Sequence, residues 1–303
     1  MSSPRSKPVR LVADQPMNAT SAFLYVSTVL IWGSTWIAIT FQLGAVDPLA
    51  SVIYRMSLAS GLLFAPCKLR GKSANDHRFV ALQGVCLFGL NYWAIYHSEL
   101  YLPSGIIAII FSLIVFFNII NGRIFLKRPI AINSVIGGMI GLSGICLLFY
   151  PELNKLSTTA DPLKGFILAF AAVFVASLGN IAATRNGLLG TSVWTINAWG
   201  TLYGSLALII VALFSGTEFS YDASFEYTAS LLYLSVFGTI LAFGAYLRLL
   251  VILGPEKASY SGLLIPFFAI LLSTIFEGYQ WTLMAAIGFF LVATGNYLVM
   301  GRR

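Results

Sequence analysis

Polar, ionisable and aromatic side chains crowd into one short stretch of an otherwise apolar chain. Between positions 91 and 99 they are Asn91, Tyr92, Trp93, Tyr96, His97, Ser98 and Glu99. On a helix that turns 100° per residue they cover three faces, and only one face can meet lipid. Polar groups within a membrane span are costly and usually face the bundle interior or a water-filled cavity. The stretch therefore predicts a cavity wall with Tyr96 and His97 on either side of the cavity, although each residue taken singly could be structural.

Similar side chains in other apolar stretches could complete this cavity and bind its solute. The predicted substrate-binding residues are Trp36, Asn91, Tyr92, Tyr96, His97, Asn180, Asn197, Trp199, Tyr203, Tyr246, Tyr260 and Ser261. Aromatic faces attract an ammonium group with about 0.5–2 kcal/mol, and Asn, Ser and Tyr can hydrogen-bond a carboxylate. Arg55 lies inside another apolar stretch, where it either points outward to the membrane surface or pairs with Glu99. For Arg55 a structural role is favoured over substrate binding.

The composition indicates an integral membrane protein without enzymatic activity. Hydrophobic residues make up 58% of the 303 residues and charged residues only 10%, and the mean hydropathy is +0.85. Ordinary soluble domains carry roughly 25% charged residues. The sequence contains no HExxH, GxSxG, P-loop or CxxC motif, and Cys67, Cys86 and Cys146 have no metal-site spacing. We therefore expect no catalytic residues, no metal, no cofactor and no nucleotide-driven motor.

Mainly apolar stretches long enough to span a membrane, about 20 residues, occur ten times. They cover residues 20–43, 48–67, 79–101, 104–126, 130–150, 162–184, 192–214, 228–253, 258–276 and 281–300. Most of the 18 Lys and Arg residues lie in the two tails and the even-numbered loops, and such residues favour cytoplasmic loops. Both termini are therefore predicted to be cytoplasmic, with residues 1–19 as an N-terminal tail. The net charge of +7 follows from this topology, and no nucleic-acid partner is expected.

An internal repeat divides the chain into halves. Residues 84–117 read GVCLFGLNYWAIYHSELYLPSGIIAIIFSLIVFF, and residues 233–268 read YLSVFGTILAFGAYLRLLVILGPEKASYSGLLIPFF. The predicted halves are 20–150 and 162–303, joined by an extracytoplasmic connector at 151–161. Five spans per half is an odd number, so the second half crosses the membrane in the opposite sense. The predicted fold is all-α, with ten transmembrane helices as two inverted five-helix repeats around a central cavity, an arrangement typical of transporters.

Two segments resemble a known transporter family. WGSTWIAITFQLGAVDPLASVIYRMSLASGLL at 32–63 resembles the opening of the drug/metabolite transporter superfamily, EamA type, and residues 236–278 resemble its second half, including Pro266 and Glu277. The chain departs from the family pattern at Val115, where a proline is usual, and at Lys127-Arg128, where an acidic residue is usual. The resemblance implies export of small metabolites or amino acids across a bacterial inner membrane. It is nearest to the amino-acid exporters, including those for aromatic amino acids.

The predicted partners are a small-molecule substrate, such as an amino acid, and membrane lipid. Gly137 and Gly141 have the small-xxx-small spacing of close helix contacts. That contact lies either within the chain or between copies, so the chain is expected to be a monomer or a weak homodimer. The sequence does not distinguish proton-coupled, ion-coupled and facilitative transport. Carriage of another solute class, such as a drug or a nucleotide sugar, is the alternative, and a non-transport membrane subunit is a more remote one.

Overall fold

The protein is all-helical in the part that the computed structural model describes, which is residues 16–42, 46–65, 76–102, 104–150, 161–276 and 281–300. We number ten helices in chain order; α3 and α8 are unbroken rods with a π-helical middle, and α4 and α9 each have a short break. The helices are α1 (Ala19–Thr40), α2 (Pro48–Phe64), α3 (His77–Gly84, Val85–Leu90, Asn91–Glu99), α4 (Ser104–Ser112, Ile114–Leu126), α5 (Ile132–Leu148), α6 (Pro162–Leu188), α7 (Val193–Ser215), α8 (Phe225–Tyr233, Leu234–Leu241, Ala242–Ile252), α9 (Pro255–Ser259, Ser261–Phe276) and α10 (Leu283–Met300).

Seven of the described helices are long and apolar enough to cross a membrane, namely α1, α3, α4, α6, α7, α8 and α10. Helices α2 and α5 are apolar but only 17 residues long, and the longer segment of α9 has 16 residues. The chain is thus an all-helical membrane protein. Each of the ten predicted apolar stretches contains one helix, but ten membrane crossings and the inverted repeat stay predictions. The tail before residue 16 and the connector residues 151–160 lie outside the described residues.

Local sequence signals set where several helices begin. Asp47 precedes α2 and accepts a hydrogen bond from the backbone N–H of Leu49 at 2.8 Å, with Pro48 at the first helical position. Helix α6 begins in the same way, with Asp161 as the cap before a proline. Proline suits this position because its missing N–H would have no partner in the first turn. These caps place α2 and α6, which carry Arg55 and Asn180.

The π-helical segments of α3 and α8 fall at Phe88-Gly89 and Phe237-Gly238, the matching Phe-Gly pairs of the sequence repeat. A π segment shifts the helical hydrogen bonds and leaves backbone groups to be paired by side chains. In α8, Asn197 of α7 supplies that partner, because its Nδ2 donates to the carbonyl oxygens of Thr239 at 3.4 Å and Ile240 at 3.2 Å.

Helices α5 and α10 pack with their backbones in contact. A Cβ built at Gly144 would lie 2.5 Å from the carbonyl oxygen of Gly288, and one built at Gly295 would lie 2.5 Å from that of Gly137. Gly141 faces Leu263 of α9. The glycine stripe of α5 therefore packs within the chain in this structure, and the oligomeric state stays a prediction.

Several other helix pairs repeat when α1–α5 are exchanged with α6–α10. The contact of α3 with α6 corresponds to the contact of α8 with α1. The contact of α4 with α6 corresponds to that of α9 with α1. Helix α3 also packs on α7 as α8 packs on α2, whereas α2 with α7 and α5 with α10 form pairs that the exchange leaves unchanged. The described bundle therefore has the pairing expected of two similar halves.

Candidate functional site

A cavity of about 280 Å³ lies within the helix bundle. Its wall is formed by residues of α1, α2, α3, α4, α6, α8 and α9, so both halves of the chain contribute. Most of the wall is apolar, with Leu87, Ile107, Phe111 and Phe243 among the lining residues. A concave, mainly apolar cavity with a few polar groups is the usual form of a small-molecule site.

Half of the predicted binding residues meet in this wall. They are Asn91, Tyr92, Tyr96, Asn180, Tyr246 and Ser261. Tyr92 and Tyr96 are one helical turn apart on α3 and face the cavity together, while Asn180 comes from α6 and Tyr246 from α8. The Nδ2 of Asn180 donates to the Tyr246 hydroxyl at 3.1 Å. The side chains of Trp36 and Glu99 lie outside the described residues.

His97 does not line the cavity, in contrast to the expectation that it flanks the cavity opposite Tyr96. Its position is rotated by about 100° from that of Tyr96 on the same helix. The imidazole Nδ1 lies 2.9 Å from the carbonyl oxygen of Trp93, one turn earlier. His97 lines a separate pocket together with Asp47, before α2, and Glu218, after α7. Only Tyr96 of this predicted pair therefore contributes to the cavity wall.

Trp199 and Tyr203 of α7 also lie away from the cavity, in a cluster with the first residue of α3. The His77 ring lies 4.7 Å from the Trp199 ring, and the His77 Nδ1 lies 2.8 Å from the Tyr203 hydroxyl oxygen. The two α7 rings stack at 5.9 Å, as their i, i+4 spacing predicts. Their aromatic surface packs α7 against α3.

Asn197 and Tyr260 are also outside the cavity wall, and both are fully buried between helices. Asn197 bonds the π segment of α8, as described above. Tyr260 interrupts α9 and donates its hydroxyl proton to the carbonyl oxygen of Ser134 in α5. In the structure both side chains join helices together.

Two cavity-lining residues each have an amide oxygen without a hydrogen-bond donor among the described residues. These oxygens are the Oδ1 atoms of Asn91 and Asn180, whose side chains are 7% and 2% exposed. Each residue uses its Nδ2 instead: Asn91 donates to the Leu87 carbonyl at 3.4 Å, and Asn180 donates to Tyr246. Buried polar atoms are nearly always paired in folded proteins, so each exception needs an explanation.

Arg55 of α2 is buried in the same wall and is 4% exposed. Its Nε donates to the hydroxyl oxygen of Thr239 in α8 at 2.8 Å, and its guanidinium carbon lies 5.7 Å from the centre of the Tyr92 ring. The side chain therefore does not extend to the membrane surface. Placing an arginine at the centre of a membrane helix costs about 2.5–3.5 kcal/mol of insertion free energy, so a buried arginine here is energetically unfavourable unless it is paired.

The chain matches the EamA-like transporter family over residues 19–150 and again over residues 163–301. It belongs to that family. A transporter of Archaeoglobus fulgidus is 25% identical over 281 residues, covering 91% of this chain and 97% of the relative. The inner membrane transporter YedA of Escherichia coli K12 is 27% identical over 281 residues, covering 89% of each.

Other comparisons agree with this membership. The protein PecM of Dickeya dadantii is 26% identical over 250 residues, covering 81% of this chain and 80% of the relative. One solved crystal structure superposes with a TM-score of 0.77 over 93% of this chain and 96% of its own, at 15% identity, which shows a shared fold. This EamA-family chain is therefore a multi-pass membrane transporter, in keeping with the transporter names of its relatives.

Sequence reasoning left Trp32 and Arg55 out of the predicted site. Trp32 lines the cavity, donates its indole N–H to the Gly238 carbonyl at 3.0 Å and contacts the rings of Phe243 at 4.8 Å and Tyr246 at 5.0 Å. Its place in the WGS motif at the start of the family resemblance was a usable signal. For Arg55 the signal was a charge in the middle of a short apolar helix, without a carboxylate on the same helix to pair it.

Proposed function

We propose that this EamA-family transporter is a secondary carrier that exports small amphipathic metabolites, mainly amino acids and among them aromatic ones. In this proposal the ten helices cross the membrane as two inverted halves with both termini in the cytoplasm. The packing supports this arrangement, since exchanging α1–α5 with α6–α10 reproduces the helix pairs named above. The cavity draws on both halves, as a substrate site between inverted repeats does.

The two unpaired amide oxygens support an amino-acid substrate most directly. Asn91 Oδ1 and Asn180 Oδ1 are acceptors in a buried wall, and an ammonium group has only donors. The Tyr92, Tyr96 and Tyr246 rings line the same cavity and can add cation–π attraction. A bound ammonium would pair oxygens that have no donor in the described part of the chain.

The size of the cavity favours a small metabolite over the alternative substrates. Pockets for drug-sized ligands measure roughly 300–1,000 Å³, and this cavity measures about 280 Å³. A nucleotide sugar is larger than an amino acid and brings two phosphate charges, whereas the described wall carries one cation, Arg55. Both features favour an amino acid.

Alternating access requires that one end of the cavity closes while the other opens. In our proposal the short segment Pro255–Ser259 closes one end, since Ser259 lines the cavity and Asn118 of α4 holds the segment by donating to the Pro255 carbonyl at 3.0 Å. Gly122 of α4 lies against the same proline. In the proposed orientation this end is cytoplasmic, and separation of α9 from α4 here admits the substrate for export.

Uptake into proteoliposomes tests the proposal. Purified full-length protein is reconstituted and assayed with radiolabelled amino acids, a nucleotide sugar and a neutral sugar, against empty liposomes. We expect saturable uptake of at least one amino acid, and a loss of tenfold or more in Asn180→Leu per folded molecule. Asn296→Leu is the matched control, since Asn296 is a buried amide of α10 bonded to Tyr25 outside the cavity. Folded protein that transports no amino acid contradicts the proposal.

A further inference from the structure

We base this inference on the transport role proposed above and use it to name the chemistry of the substrate. Arg55 is a buried cation in the cavity wall. A guanidinium has five N–H donors, and in the part of the chain that the structure describes only the Nε–H of Arg55 has an acceptor, the Thr239 hydroxyl. No carboxylate lines the cavity among those residues. Buried charges in proteins are normally paired, so the four Nη hydrogens point to an anion that is not part of the described protein.

The surroundings of the guanidinium hold it in one orientation. The Thr239 hydroxyl donates to the Leu234 carbonyl at 3.1 Å and accepts from Arg55 Nε at 2.8 Å, so both of its roles are used. Gly238 leaves the space that the guanidinium occupies, because a Cβ built there would lie 3.0 Å from Arg55 Nη2. Tyr92 of α3 flanks the group at 5.7 Å. A side chain fixed in this way loses little entropy when it binds a planar anion.

We propose that Arg55 binds a carboxylate of the transported solute through its two Nη groups. The planar guanidinium fork matches a carboxylate with two parallel hydrogen bonds. It also matches phosphate, but a phosphate monoester carries close to two negative charges at neutral pH. One guanidinium balances a single charge, so a monoanion fits the cavity better. The substrate class is therefore small amphipathic carboxylates, and amino acids are the members that also carry an ammonium group, for which Asn91 and Asn180 line the same cavity.

The test uses three probes that share a phenyl group and differ in the polar group. They are 3-phenylpropionate, its neutral amide 3-phenylpropanamide, and phenyl phosphate. The melting midpoint of detergent-solubilised full-length protein is followed as each probe is titrated at constant pH and ionic strength. This readout requires no transport. Because charge-assisted hydrogen bonds are strong, we expect the wild type to bind the carboxylate about 10- to 100-fold more tightly than the amide.

Substitutions then assign the preference to Arg55. Arg55→Leu should bind the carboxylate and the amide equally, whereas Arg55→Lys should keep part of the preference, because it retains the charge but loses the fork. Arg248→Leu is the matched control, since Arg248 is an exposed arginine of α8, and it should retain the full preference.

Several outcomes overturn the assignment. They are equal binding of carboxylate and amide by the wild type, an unchanged preference in Arg55→Leu, and tighter binding of phenyl phosphate than of the carboxylate. The wild-type comparison gives an answer even if no Arg55 variant folds. A carboxylate preference together with no amino-acid uptake contradicts the proposed substrate while leaving the role of Arg55 intact. Amino-acid uptake without a carboxylate preference contradicts the role of Arg55 alone.

Discussion

Replacing Gly144 by alanine should destabilise the bundle by pushing α5 away from α10. The new Cβ would lie 2.5 Å from the Gly288 carbonyl oxygen and 2.8 Å from a Val292 methyl group. Contacts under 3.0 Å are essentially never seen for real Cβ atoms, and the obstacle is backbone, so the helices must separate by about half an ångström. Overpacking of this kind costs about 1–3 kcal/mol.

Gly61→Ala makes the same chemical change where there is room for it. Apart from its chain neighbours and the nearby backbone of its own helix, no atom lies within 4 Å of a Cβ built at Gly61, in the last turn of α2. Glycine-to-alanine changes at compatible sites stabilise by about 0.4–1 kcal/mol. The two variants should therefore differ by about 1.4–4 kcal/mol. At about 2 °C per kcal/mol for a chain of this size, their melting midpoints should differ by about 3–8 °C.

The assay heats each variant in detergent and measures the folded fraction by size-exclusion chromatography. Heating rate and protein concentration are held constant, because membrane proteins often unfold irreversibly and the midpoint then depends on the scan rate. Gly288→Ala should behave like Gly144→Ala, since its Cβ would lie 2.5 Å from the Gly144 carbonyl oxygen. Equal midpoints for Gly144→Ala and Gly61→Ala would refute the backbone contact between α5 and α10.

Two further predictions concern the cavity and the orientation of the chain. Tyr96→Ala should lower transport per folded molecule at least tenfold in the uptake assay, because it removes part of the cavity wall. His97→Ala should leave transport within about twofold, because the His97 ring lies outside that wall. A larger loss of transport in His97→Ala contradicts this placement of His97. In a cysteine-free background, a cysteine that replaces the exposed Glu218 should react with an impermeant maleimide in intact cells. A cysteine that replaces the exposed Arg123 should react only after the cells are lysed. Labelling of both cysteines in intact cells contradicts the proposed topology.

The helices were predictable because hydropathy and length act locally. Every predicted apolar stretch contains a helix, and capping residues such as Asp47 mark the corners. The glycines of α5 predicted a close contact but not its partner. That partner is Gly288 and Gly295 of α10, far along the chain, and no local pattern specifies which distant glycines will meet.

The cavity was only half predictable, because polar residue type does not say what a buried side chain will bond. Asn180 and Asn197 are both amides within apolar helices and are equivalent as sequence signals. They differ in position, because Asn197 lies beside the π segment of α8, whose carbonyl oxygens accept from its Nδ2, whereas Asn180 lines the cavity. The Oδ1 atom of each has no donor among the described residues. The π segments were not expected from the sequence, so the partner of Asn197 could not be foreseen.

The same π segment explains why Arg55 belongs to the cavity. Within this segment, the Thr239 hydroxyl accepts a hydrogen bond from the Arg55 guanidinium, and Gly238 leaves the space that the guanidinium occupies. Ser235, in the same segment, donates to the Arg55 carbonyl at 3.3 Å. Two of the residues around the guanidinium therefore come from the Phe-Gly-Thr stretch at 237–239, whose counterpart in the first half reads Phe-Gly-Leu at 88–90. Leucine has no hydroxyl to fix a guanidinium, so only one half of the repeat can hold an arginine in this way. Arg55 is therefore the one cation among the described cavity-lining residues, and in the proposed binding mode it gives a solute with one carboxylate a defined orientation.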